Sequence, residues 1–153
     1  MLPAPSTVAS YLECQHRPDL GVLVARWLRQ PSDEELQAGY HSLLDAAAAH
    51  RARLWLVDAR RRAHANQQGT PWMMQHFLPL LPTRLGAPVR IAYLFMPNHL
   101  NELENDPAVP PLTYFNGRPY HIERFTEEHR AMQWLTYQRD GPEEAVSAPS
   151  PNR

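Results

Sequence analysis

Short apolar runs alternate with longer amphipathic stretches along this chain. Over Tyr11 to His16, Leu12 and Cys14 alternate with polar neighbours, the period of a half-buried edge strand. Arg17-Pro18-Asp19-Leu20-Gly21 is turn chemistry, because proline presets its φ and glycine accepts positive φ. Val22 to Leu28 reads as a second strand, and the two predict a hairpin. A helix is predicted next. Ser32 and Glu35 have the spacing of a capping box, and Leu36, Tyr40, Leu43, Leu44 and Ala47 fall on one face.

Leu54 to Val57 is apolar without alternation, as in a central strand covered on both faces. A polar loop leads to Thr70-Pro71, which reads as an N-cap followed by a proline at the first helical position. Met73, Phe77, Leu80, Leu81 and Leu85 continue that helix. Pro79 and Pro82 predict a kink or break inside it, and Gly86 a stop. Val89 to Phe95 is another buried strand, Asn98 to Asn105 a short helix, and Asp106 to Pro119 irregular. Tyr120 to Phe125 is a last strand. Thr126 is expected to cap a helix from Glu127 to about Gln138 that buries Ala131, Trp134, Leu135 and Gln138.

The order β-β-α-β-α-β-α-β-α implies an α/β fold: a mixed, mostly parallel sheet of about five strands with an N-terminal hairpin and about four helices. Residues 1–7 are expected to be a flexible lead-in and 8–139 a single domain. Residues 140–153, rich in Pro, Ala, Ser and Glu, are expected to be a disordered tail.

Composition narrows the function classes. The chain has 153 residues, 43% hydrophobic and 20% charged, which suits a packed globule. A formal charge of -1 argues against a general nucleic-acid binder. All 15 basic residues are arginine. Cys14 is the only cysteine, so neither an internal disulfide nor a cysteine-based zinc site can form. The eight histidines are scattered without metal-ligand spacing and are expected to be surface or edge residues, with no metal and no cofactor. No charged segment precedes an apolar run at the N-terminus, and no stretch approaches the ~20 apolar residues of a membrane span. A cytoplasmic location is expected.

The hairpin, the capped first helix, the strand Leu54 to Asp58 and the loop and helix after it resemble the STAS domain of sulphate transporters and anti-sigma factor antagonists. They also resemble the small stand-alone bacterial STAS/SEC14-like domains. The resemblance covers Val8 to about Arg139 and is one of architecture. It implies a non-catalytic regulatory or binding module acting through protein contact or an anionic small ligand. In the antagonists a serine at the start of the helix after this strand is phosphorylated. Here the segment is Ala63-His64-Ala65-Asn66-Gln67-Gln68-Gly69-Thr70, with no serine. Thr70 is the sole hydroxyl available as a phosphoacceptor, and an ordinary cap is its simpler role.

The candidate chemistry gathers in the same segment. Arg60, Arg61 and Arg62 leave a strand end, where ligands of open α/β sheets bind, and a helix start follows at Thr70. They either face water as a solvated basic loop or, with the first amides of the Thr70 helix, bind a phosphate, an acidic lipid headgroup or an acidic partner loop. Asp58 either fixes the turn or, in the alternative reading as a small enzyme, acts as an acid/base near His64 and Asn98. Cys14 with His16 lacks the spatial pairing of a thiol nucleophile and reads as a buried apolar residue. Trp72 and Met74 are expected on an exposed face, marking a partner or homodimer surface.

Overall fold

The coordinates are a computed structural model, which describes residues 6–64, 66, 68–86 and 88–140. Six strands form one sheet in sequential order: β1 (Ser6–Ala9), β2 (Leu12–Arg17), β3 (Val22–Trp27), β4 (Leu54–Asp58), β5 (Val89–Leu94) and β6 (Tyr120–Phe125). The first three pair antiparallel and β3 to β6 pair parallel. The α/β class and the N-terminal hairpin are therefore as expected. The sixth strand, β1, corrects the expected lead-in: Ser6 and Thr7 pair with Cys14 and Glu13, so the sheet edge lies one strand further out. Residues 1–5 and 141–153, placed in the lead-in and the tail, lie outside the described residues.

In a parallel sheet of sequential order, right-handed crossovers deliver successive connections to the same face. Accordingly α1 (Asp33–His50), the broken helical segment Gly69–Leu85 and α4 (Pro97–Glu104) cover one side of the sheet. The last helix, α5 (Glu128–Asp140), covers the other, placing Ala131 and Leu135 on Val22, Val24, Leu56, Ala92 and Leu94. It starts at Glu128, a residue later than a Thr126 cap implies. Trp134 is half-buried against Phe125, and the Gln138 side chain lies outside the described residues.

Strand parity divides the two cores. Leu23, Ala25, Trp27, Trp55, Val57, Ile91 and Tyr93 face α1, while Val22, Val24, Leu56, Ala92 and Leu94 face α5. The expected capping box is formed: Glu35 N–H donates to Ser32 Oγ at 3.1 Å, and Ser32 N–H donates to Glu35 Oε1 at 2.9 Å. All five expected helix-face residues of α1 are buried. Gly39 lets α1 approach the sheet closely, since a Cβ there would lie 2.7 Å from the Trp27 ring and 3.1 Å from Leu12.

The segment after Gly69 departs from the expected helix. Gln68, not Thr70, flanks the helical turn α2 (Gly69–Trp72), and no side chain caps it. A π-turn follows over Met73–Phe77, with Leu78 N–H donating to Met73 O at 2.9 Å, and α3 (Leu80–Leu85) begins after Pro79. The prolines explain the break. Pro79 and Pro82 have no N–H for the carbonyls of Gln75 and Leu78, and the Pro79 ring crowds the preceding turn. The wider turn changes the phase of the face. Trp72 is turned inward, within 6.1 Å of Tyr40 and 5.6 Å of Phe77, and Met74 packs on the same core. Gly86 ends α3 in the left-handed region at φ 73°, as expected.

Candidate functional site

The run Asp58-Ala59-Arg60-Arg61-Arg62 leaves the carboxyl end of β4 and divides between the two faces of the sheet. In the register of β3 and β4, Arg26 stands opposite Asp58, on the α5 face. Arg26 donates to Asp58 Oδ2 at 2.8 Å and to both Glu128 oxygens at 3.1 and 3.2 Å. Arg60 donates Nε to Asp58 Oδ1 at 2.9 Å and Nη2 to Oδ2 at 2.8 Å, and its backbone N–H donates to Oδ1 at 3.0 Å. Asp58 is 7% exposed. Burial alone would raise its pKa, but the bonds from Arg60 and Arg26 outweigh that and hold the carboxyl below its usual range. Both carboxylate oxygens are occupied, so this is a structural clamp between β3, β4 and α5.

Arg62 goes the other way. A turn closed by Arg62 N–H donating to Ala59 O at 3.1 Å carries it to the α1 face. There a cavity of about 100 Å³ lies over the carboxyl ends of β4 to β6, beneath α1, the π-turn and α4. Its walls are mostly apolar, with Leu36, Met73, Met74, Leu78, Phe95 and Ile122 prominent. Polar groups enter from several elements. Arg62 Nη2 donates to Asn66 Oδ1 at 2.7 Å, but its Nε is shut off from water with no partner. Burial lowers the Arg62 pKa, with the Tyr40 and Tyr93 hydroxyls acting against that. Asn66 is fixed by donating to Pro31 O at 2.9 Å and to Asp33 Oδ1 at 3.0 Å, and by accepting from Gln30 Nε2 at 3.0 Å.

Tyr40 of α1 and Tyr93 of β5 share a hydroxyl–hydroxyl bond of 2.6 Å. Burial raises both phenol pKa values, so both stay protonated near neutrality. One proton closes the pair, and the other remains to be donated. Arg124, opposite Tyr93 in the β5–β6 register, reaches Pro110 O at 3.5 Å. Burial lowers its pKa, against the pull of nearby Glu104, Tyr93 and Glu123. His99 is 2% exposed, stands edge-on to Phe95 at 4.8 Å, and neither ring nitrogen has a partner. Burial, then Arg62, lowers its pKa, so the ring is neutral. No Asp or Glu lines the cavity, and among the described residues neither Arg62 nor Arg124 makes an ion pair. A wider surface depression lined by Pro107, Pro111 and Leu112 shares Arg124 and Pro110 with the cavity.

The expected site residues are thus dispersed. Arg62 and Thr70 line the cavity, Thr70 half-buried; Asp58 and Arg60 belong to the clamp; Arg61 and Asn98 are exposed. Asp58, His64 and Asn98 do not converge there. Thr70 sits inside a four-residue helical turn, which provides no extended helix N-terminus for an anion. Trp72 is half-buried rather than exposed. His99, expected at the surface, is a buried wall of the cavity. Tyr40, Tyr93, His99 and Arg124 were missed as site residues. Two signals could have found the last two: His99 and Leu103 share a face at i, i+4, and Arg124 alternates in phase with Tyr120 and Ile122.

Among the described residues no three His, Cys, Asp or Glu are grouped to hold a metal, and no helix is long and apolar enough to cross a membrane. Compared with known proteins, the chain matches no family model, no curated protein and no solved structure.

Proposed function

We propose that the protein is a non-catalytic binding module, STAS-like in architecture, that holds a small anionic ligand in the cavity at Arg62. The observation that carries this reading is a mostly apolar cavity with two arginines, no carboxylate and unpartnered buried polar atoms in its wall. The Arg62 Nε is unpartnered, and so are both nitrogens of the buried His99. A buried donor left without a partner costs about 1–3 kcal/mol, and more when charged. Such groups in a native fold call for an explanation, and a bound ligand supplies one.

The alternative, an acid/base enzyme at Asp58, has less support. Asp58 lacks a free oxygen and does not line the cavity. Regulation through a protein partner in the cytoplasm is the role the architectural resemblance suggests, with ligand occupancy as its input.

The test is what the protein carries. Full-length protein and an Arg62→Met variant are purified under non-denaturing conditions, and their small molecules are extracted and identified by mass spectrometry. The reading expects an anionic compound with the wild type and its loss from the variant. Equal recovery from both proteins contradicts it.

A further inference from the structure

Within the reading just given, on which this inference rests, the geometry points to one ligand class: a compact monocarboxylic acid whose body is a single ring or a short alkyl chain. We infer that its carboxylate lies against Arg62, the Tyr40–Tyr93 pair and His99, and its body among Met73, Met74 and Leu78.

Charge calls for an anion at Arg62. Arg62 has no acidic residue against it, whereas Arg124 is drawn toward Glu104 and Glu123. His99 is neutral and adds a donor without adding charge. Arg62, with no ion pair among the described residues and no Asp or Glu beside it in the cavity, presents a positive charge that a carboxylate matches. A phosphate monoester would bring up to about two negative charges into a mostly apolar enclosure.

Geometry favours the same group. Asn66 holds Arg62 by Nη2, so the guanidinium is fixed, and its Nε is left without a partner. An unpartnered guanidinium N–H gives a carboxylate a charge-assisted hydrogen bond. The remaining lone pairs of a carboxylate are matched by the spare tyrosine proton and the His99 N–H.

Size limits the body. An engineered apolar cavity of about 150 Å³ holds benzene. At about 100 Å³ this one takes a ring only if a wall yields. Met73 and Met74 are the walls suited to it, being unbranched and easily repacked.

The experiment is isothermal titration of the full chain with phenylacetate, hexanoate, phenylacetamide and phenyl phosphate. Phenylacetate or hexanoate should bind, and phenylacetamide at least about tenfold more weakly, since a charge-assisted hydrogen bond is worth ~1.5–3 kcal/mol. Arg62→Met should weaken carboxylate binding by a similar factor. If that variant does not fold, Tyr93→Phe serves instead, with a smaller loss. Equal binding of acid and amide overturns the inference and the anion reading together. Preference for phenyl phosphate, lost in Arg62→Met, overturns the carboxylate class and leaves the anion site standing. No binding of any probe to the folded wild type overturns both.

Discussion

Asp58 and Arg62 lie four residues apart on one strand exit, yet they act on opposite faces of the sheet. Asp58 is clamped by Arg26 and Arg60 on the α5 face, and Arg62 enters the cavity on the α1 face. One arginine run therefore holds both a cation paired in the clamp and one without an ion pair among the described residues, and substitutions should separate them.

Asp58→Asn is expected to destabilise without altering the cavity. It leaves Arg26 and Arg60 facing an amide, with Glu128 as the remaining carboxylate. Breaking a buried ion pair costs about 3–5 kcal/mol, and the remaining Glu128 carboxylate makes the loss smaller. The pH dependence follows from the lowered pKa. The ionised Asp58 is favoured by folding, so its contribution is full above the unfolded carboxylate pKa of ~3.9 and is lost as pH falls through the lower folded value. Glu35, held at about 2 by Arg29 and the Ser32 backbone, acts in the same direction. Urea melts between neutral and acid pH should show a shallower acid decline for Asp58→Asn; an unchanged slope contradicts the assignment.

Arg62→Met is expected to leave stability within about 1 kcal/mol of wild type. The variant loses the Asn66 bond but relieves an unpaired, poorly hydrated cation. Thermal melts without added ligand check this. A loss of about 3 kcal/mol or more would make Arg62 a structural residue.

Gly39→Ala is expected to destabilise by about 1–2 kcal/mol. Helix propensity favours alanine by about 1 kcal/mol, but overpacking costs ~1–3 and the added Cβ meets the buried Trp27 ring at 2.7 Å. Trp27→Phe in the same chain should recover part of that loss, as a double-mutant cycle would measure. Additive effects would show that the two residues do not meet.

Cys14 should resist alkylation in the folded state. Burial in the core raises its thiol to about 11, leaving little thiolate near neutrality. Iodoacetamide labelling followed by mass spectrometry should be slow until denaturant is added; labelling at the rate of a free thiol contradicts the burial.

The sheet and its covering were legible because their signals are local. Ser32 and Glu35 are three residues apart, and continuous apolar runs such as Leu54 to Val57 mark strands covered on both faces. The site was less legible because it depends on phase. The proline-driven π-turn rotates Trp72 and Met74 inward, which a uniform helical period cannot anticipate. Arg60 and Arg62 looked like one patch because the turn that sends them to opposite faces leaves no residue signature. The Tyr40–Tyr93 pair joins residues 53 positions apart, a distance that periodicity does not span.

The central claim is that Arg62, and not the neighbouring clamp, meets the ligand. Its most direct measurement is the arginine Nε–H NMR spectrum of the full chain during titration with phenylacetate. The account predicts a saturable shift of the Arg62 signal, with Arg26 and Arg60 nearly unmoved. A shift confined to Arg26 or Arg60, or no shift at saturating probe, would contradict it.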